Sequence, residues 1–289
     1  MGIDKLKGTG VALVTPFNKD MSIDFNGLER VLDHVVDGKV DYLVVLGSTG
    51  EAATLTWDEK LKVLDFIIEQ NSNHLPIVFG LGGNNTMALI DQLKSIEKYP
   101  IDAILSASPH YNKPSQKGIR AHYSILANES RFPVILYNVP SRTASNLTSE
   151  TTIELSKHSN IIGIKEASGD LHQCGEIISG TSDDFLMISG DDGLTLPILA
   201  LGGDGVISVI ANLLPHEFVK MVNDSLAGDF KNSSKIHREL IPFYELLSKE
   251  GNPVSLKTGM EAKGIIDRYV RLPLVAGSEE LLAAFKHKA

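Results

Sequence analysis

Apolar residues in this chain gather into short continuous runs, and between the runs the apolar spacing turns helical. The runs Thr9–Val14, Tyr42–Leu46, Ile77–Leu81, Ala103–Ser106, Val134–Asn138, Ile161–Lys165, Phe185–Ser189 and Val206–Val209 predict eight strands, spaced by roughly 20 to 35 residues. Between them, sets such as Leu28/Val31/Leu32/Val35 and Leu61/Leu64/Ile67/Ile68 lie on one face of a helix. Strands alternating with helices imply a parallel sheet, and eight such units imply an α/β chain closed into a (β/α)8 TIM barrel. The competing arrangement is a doubly wound open sheet. Against it, no G-x-G-x-x-G follows the first strand, which runs into Thr15-Pro16-Phe17. Beyond Val209 the period stays helical, over Glu217–Leu226, Phe230–Leu247, Val254–Ile266 and Gly277–Lys288. One helix closes the barrel, so the expected division is a catalytic barrel over 1–227 and a C-terminal helical appendage over 228–289.

Catalytic side chains of such barrels gather at the C-terminal ends of the strands. The fifth run stops at Pro140, and its alternation puts Ile135 and Tyr137 on one face, Leu136 and Asn138 on the other. A phenol therefore stands where strand becomes loop, and Arg142 follows from that loop. The sixth run ends in Lys165, where a buried strand would not normally carry a charge. One reading is a lysine snorkelling at a strand end. The other is a nucleophile, which needs the neutral amine, a form that free lysine populates at only about one part in a thousand near pH 7. Desolvation among Ile161, Ile164 and the barrel walls would favour that form. The second run ends in Gly47-Ser48-Thr49-Gly50-Glu51, which reads either as a plain turn or as hydroxyls and amides offered to a carboxylate or phosphate. The fourth leads into Pro109-His110-Tyr111-Asn112-Lys113-Pro114, where Tyr111 reads by itself as a packing or interface residue. The seventh ends in Ser189-Gly190-Asp191-Asp192, read as helix N-capping and loop hydrogen bonds, since no nearby histidine completes a metal-ligand set.

Composition narrows the classes. The chain has 289 residues, 43% of them hydrophobic, ample for one large α/β core. Its net charge is −9, without a basic block and with thinly spread aromatics, which argues against nucleic-acid binding. A small anion can still be held if one local arginine does it, and Arg142 is the candidate. No charged leader with an apolar segment opens the sequence, and no apolar run reaches the roughly 18 residues of a membrane span. The single cysteine, Cys174, fits a reducing, cytoplasmic setting and reads as a small packed residue. The nine histidines form no H-x-H or H-E-x-x-H pattern; after His216-Glu217 the second ligand position holds Lys220, which disfavours a zinc-dependent aldolase.

Taken together, Gly47-Ser48-Thr49-Gly50-Glu51, Tyr137-Asn138-Val139-Pro140-Ser141-Arg142-Thr143, Gly163-Ile164-Lys165-Glu166 and Ser189-Gly190-Asp191-Asp192 resemble the dihydrodipicolinate synthase family. This is the lysine-pathway branch of the pyruvate-dependent class I aldolases, in the N-acetylneuraminate lyase superfamily. The resemblance runs from about Leu6 through the barrel. It implies that Lys165 forms an imine with pyruvate, that the derived enamine adds to L-aspartate 4-semialdehyde, and that cyclisation frees the lysine. It implies no cofactor beyond that covalent imine. Tyr137 would shuttle protons, relayed by Ser48 and by Tyr111, which in the family comes from the neighbouring subunit of a tight dimer within a homotetramer built as a dimer of dimers. Ser48 stands where many members carry threonine, and the hydroxyl is kept. Thr49 would hold the pyruvate carboxylate, with Gly190 and Ile207 touching substrate through their backbone. Arg142 would grip the semialdehyde carboxylate at two points; sialate lyases characteristically lack this Pro-x-Arg-Thr sequence.

A second departure concerns feedback. Lysine-inhibited relatives hold lysine at the dimer cleft with histidines, a glutamate and a tyrosine. Here Trp57, Lys60, Ala88 and His110 stand at the matching positions, with Asn84 kept. A lysine ligand would meet a like charge at Lys60 and miss the carboxylate at Ala88, so weak or absent inhibition is expected. Two other functions share parts of the pattern: an aldolase for sialic acid or 2-keto-3-deoxy sugar acids, and a non-catalytic regulator that only binds pyruvate-like metabolites.

Overall fold

In a computed structural model that describes residues 2–288, the eight expected strands are β1 (Gly8–Ala12), β2 (Tyr42–Val45), β3 (Ile77–Gly80), β4 (Ala103–Ala107), β5 (Val134–Asn138), β6 (Ile161–Glu166), β7 (Leu186–Ser189) and β8 (Gly205–Ser208). The outermost residues of the two expected segments, 1 and 289, lie outside the described range. The strands pair in sequence order, all parallel, and β8 pairs back onto β1 to close the barrel. A closed parallel sheet has no edge, so its strands are buried on both faces and must be apolar on both. Two layers of core follow. Ala12, Val44, Val78, Leu105, Ile135, Ile188 and Ile207 face the barrel interior, where Leu6 from the N-terminal turn joins them. Val11, Leu43, Phe79, Ile104, Leu136, Ile164, Met187 and Val206 face outward against the helices.

Helix starts are fixed by side chains that satisfy first-turn amides. Asp24 accepts from Gly27 N, Thr56 forms a reciprocal box with Glu59, and Ser115, Thr148 and Asp170 cap three further helices. At the opposite end of the barrel, acids just before one strand hold the amides of its neighbour. Asp41 accepts from Thr9 N at 2.7 Å, Asp102 from Ile77 N at 2.7 Å and Asp204 from Met187 N at 2.9 Å.

Several boundaries differ from expectation by one to four residues. β1 ends at Ala12, because Val14 N turns away to Asn212 Oδ1 (3.2 Å) instead of continuing the ladder. The helix expected through Ile266 spans Val254–Ala262: Gly264 is left-handed (φ +72°) and Ile265 N bonds back to Met260 O at 3.0 Å, which terminates it. The last helix starts at Glu279 behind the Ser278 cap and ends at Lys286. Around the expected boundary, the barrel's closing helix Pro215–Leu226 gives way at Gly228 to the long helix Phe230–Lys249. The tail contributes Leu240, Leu246, Leu256, Met260, Leu281 and Phe285 to the same outer core as the barrel. No described helix is long and apolar enough to cross a membrane.

Candidate functional site

The register between β5 and β6 brings the phenol and the amine together. Val134 faces Ile161 but Ile135 faces Gly163, so β6 carries one extra residue, and from there Tyr137 stands directly opposite Lys165. The extra residue also reverses the strand's faces. Ile161 lies in the outer layer, as does Ile164, whereas Lys165 turns inward. The expected desolvating pair Ile161 and Ile164 is therefore incorrect. The walls near the lysine belong to the interior set, with Tyr137 on one neighbouring strand and Ile188 on the other.

Lys165 Nζ lies 4.5 Å from the centroid of the Tyr137 ring, and both side chains are buried. Burial pushes the ammonium down to about 8, the positive Arg142 adds to that, and the Asp192 carboxylate opposes it. Burial raises the Tyr137 phenol, while the Arg142 charge and the nearby Ser48 hydroxyl pull it back. An amine whose neutral form burial favours, a phenol and a guanidinium thus share one barrel mouth. Gly190 closes over the lysine: a Cβ there would lie 2.7 Å from Ala167 Cβ and 3.1 Å from Lys165 Cε. Its N–H is committed to Glu166 O at 2.7 Å, so only its carbonyl is left to meet a ligand. Ile207 lies in the buried interior set on β8.

The turn after β2 is two successive 3-10 turns, Ser48–Gly50 and Ala52–Thr54, joined through Glu51 in a left-handed conformation (φ +53°). Thr49 is buried within it and Ser48 exposed. Arg142 lies in a short helical turn, Pro140–Thr143, where an open loop is expected. Its Nη2 donates to Asn252 O at 3.0 Å. Tyr111 is 88% exposed, on a left-handed residue (φ +68°) between β4 and the next helix, with its backbone N–H bonded to Thr143 O at 3.4 Å. The expected capping by the paired aspartates holds for Asp191, which accepts from Gly193 N and Leu194 N. Asp192 makes the expected loop hydrogen bonds, accepting from Val209 N (3.1 Å) and Ile210 N (2.8 Å) just past the end of β8. Burial lifts it to about 6.

Several residues that hold the site escape a reading of local pattern. On the outer side, one residue past Tyr137 and Lys165, Asn138 Nδ2 donates to Glu166 Oε2 at 3.0 Å, Gln173 Nε2 to the same oxygen at 2.9 Å and Ser168 N to Oε1 at 2.7 Å. This buried network pins the two strand ends together. From the tail, Asn252 Nδ2 donates to Thr49 Oγ1 at 2.9 Å, and Lys257 pairs with Glu51 at 2.5 Å. For Lys257 the only sequence signal is polarity inside an otherwise apolar helical segment, and Asn252, in the loop before that helix, carries none. Cys174 is free and buried, its thiol pushed up to about 12 by burial. Among the described residues, no group of three or more His, Cys, Asp or Glu side chains is placed to hold a metal ion.

The profile of the dihydrodipicolinate synthetase family matches residues 5–289. The chain is 48% identical over 275 residues to 4-hydroxy-tetrahydrodipicolinate synthase of Flavobacterium psychrophilum, covering 95% of this chain and 94% of that relative. Among solved structures, dihydrodipicolinate synthase from Thermotoga maritima superimposes with a TM-score of 0.95 at 34% identity, over 98% of this chain and 97% of the other. A chloride-inhibited dihydrodipicolinate synthase from Acinetobacter baumannii complexed with pyruvate gives a TM-score of 0.95 at 33% identity, with coverages of 98% and 97%.

Proposed function

The chain belongs to the dihydrodipicolinate synthetase family of Schiff-base-forming lyases, and from that premise we propose that it condenses pyruvate with L-aspartate 4-semialdehyde to 4-hydroxy-tetrahydrodipicolinate. The observation that carries this reading is the facing pair on β5 and β6, a lysine brought down to about 8 with its Nζ 4.5 Å from the Tyr137 ring.

Lys165 Nζ attacks the ketone carbon of pyruvate, and loss of water gives the imine. The protonated imine draws electrons from the methyl group, which loses a proton to become an enamine. The enamine carbon attacks the semialdehyde aldehyde, forming the new carbon–carbon bond. The amino group of the added substrate then attacks the imine carbon, closes the ring and releases Lys165. Tyr137, with Ser48 beside it, carries protons to and from the reacting centre. Thr49 receives the pyruvate carboxylate, Gly190 and Ile207 line it through their backbone, and Arg142 receives the semialdehyde carboxylate. The imine is the electron sink, so no external cofactor takes part. The exposure of Tyr111 supports a tight dimer in which it completes the partner's relay, two such dimers forming a tetramer. The lone buried thiol agrees with a cytoplasmic setting.

The test is pyruvate consumption with L-aspartate 4-semialdehyde, N-acetylmannosamine or glyceraldehyde as acceptor, together with borohydride trapping of the pyruvate adduct. Turnover with the semialdehyde alone and a covalent adduct on Lys165, absent in Lys165→Ala, are expected. Turnover only with a sugar aldehyde would reassign the acceptor site, and no adduct at all would reduce the chain to a binder.

A further inference from the structure

Asn252 stands in the loop that leads into the Val254–Ala262 helix, and it meets both halves of the site. Its backbone carbonyl accepts from Arg142 Nη2 at 3.0 Å, while its side-chain Nδ2 donates to Thr49 Oγ1 at 2.9 Å. Its Oδ1 is buried without a hydrogen-bond partner among the described residues, so the contact with Thr49 is made by the Nδ2 end of the amide.

The polarity of that contact has a consequence for the hydroxyl. Thr49 Oγ1 has one proton and two lone pairs. With one lone pair taken by the amide, the proton cannot point at residue 252 and is left for an acceptor elsewhere. A carboxylate offers only acceptors. A hydroxyl whose proton is free binds it, and one whose proton is spent on a neighbour presents lone pairs and repels it. We propose that Asn252 is a positioning residue for the pyruvate half-reaction, fixing Thr49 as a donor toward the substrate carboxylate. The inference rests on the assignment of Thr49 to that carboxylate. It makes the helical appendage a working part of the barrel's site, since Asn252 reaches Thr49 from the tail.

The experiment uses the full chain with Asn252→Asp and Asn252→Leu, and reads the half-saturating pyruvate concentration in borohydride trapping beside the KM for semialdehyde. Aspartate has only acceptors and draws the Thr49 proton to itself, so half-saturating pyruvate rises by about tenfold or more. Leucine frees the hydroxyl to turn and gives a smaller rise, about threefold. Arg142 is held by the backbone carbonyl, which both variants keep, so the KM for semialdehyde moves by less than about twofold. In a Thr49→Val background the aspartate substitution adds no further rise, whereas plain repulsion between its charge and pyruvate would persist there. Unchanged half-saturation in Asn252→Asp and Asn252→Leu, or a rise that survives in Thr49→Val, overturns the role given to Asn252. A wild-type chain that forms no pyruvate adduct overturns the underlying reading of the site instead. If Asn252→Asp does not fold, the leucine variant decides by the same split between pyruvate and semialdehyde.

Discussion

Replacing Lys257 by methionine should unfold the chain far more readily than removing an ordinary surface ion pair. Lys257 Nζ lies 2.5 Å from Glu51 Oε1, with the two side chains 0% and 1% exposed. The ammonium also donates to Tyr269 O at 2.9 Å and sits 4.2 Å from the Phe17 ring centroid, while Glu51 Oε2 accepts from Arg271 N at 3.0 Å. Burial pushes Lys257 down to about 8 against the pull of Glu51, so desolvation outweighs what the attraction returns. The intact pair is therefore worth little beyond an apolar substitute, but half of it is costly. Lys257→Met leaves a carboxylate buried without its counter-charge, at about 3–5 kcal/mol. Glu51→Gln combined with Lys257→Met removes the stranded charge and should recover most of that loss. Urea unfolding of the three variants, followed by circular dichroism at matched concentration, measures both steps. A loss under about 1 kcal/mol for Lys257→Met would mean that water screens Glu51 as it does a surface pair. A double variant no more stable than the single would place the stability in the pair itself. Either result would refute the reasoning. Because Glu51 follows Ser48, Thr49 and Gly50 directly, the single variant should also weaken pyruvate trapping more than the double.

The remaining predictions concern the site. With Lys165 at about 8, the rate of imine formation at low pyruvate should climb about tenfold per pH unit below 8 and level off above it; rapid-quench trapping that still climbs toward pH 10 would show an unperturbed amine. Asp192 opposes the lowering of Lys165, so Asp192→Asn should move that profile to lower pH, and no movement would remove the electrostatic link. Arg142→Ala should raise the KM for semialdehyde by about one to two orders of magnitude while leaving the plateau of pyruvate trapping unchanged; equal loss of both would make the arginine structural. Lysine should inhibit weakly or not at all, as Lys60 stands at a position matched to the cleft and Ala88 offers no carboxylate; half-inhibition at submillimolar lysine, read in the coupled turnover assay, would overturn this.

What the sequence discloses depends on whether partners are near in the chain or only in space. The barrel is legible because strands buried on both faces must be continuous apolar runs, and a lysine or tyrosine ending such a run is out of place enough to notice. The face that Lys165 occupies is not legible, because the extra residue in β6 breaks the alternation counted from Ile161. The tail contacts are harder still: Asn252 reaches back 203 residues to Thr49, and Lys257 reaches back 206 to Glu51. A lysine in a helical stretch ordinarily reads as its solvated face. Yet Val254-Ser255-Leu256-Lys257-Thr258-Gly259-Met260 has no other charge and no polar stripe, and all seven residues are buried. A helix without a polar face is buried all round, and a lone buried ammonium needs an acid brought to it. Glu51 is the one acid among the motif residues at the mouth of β2. Charge balance calls for an acid opposite Lys257, but neither it nor periodicity says which of the chain's 36 acids supplies it.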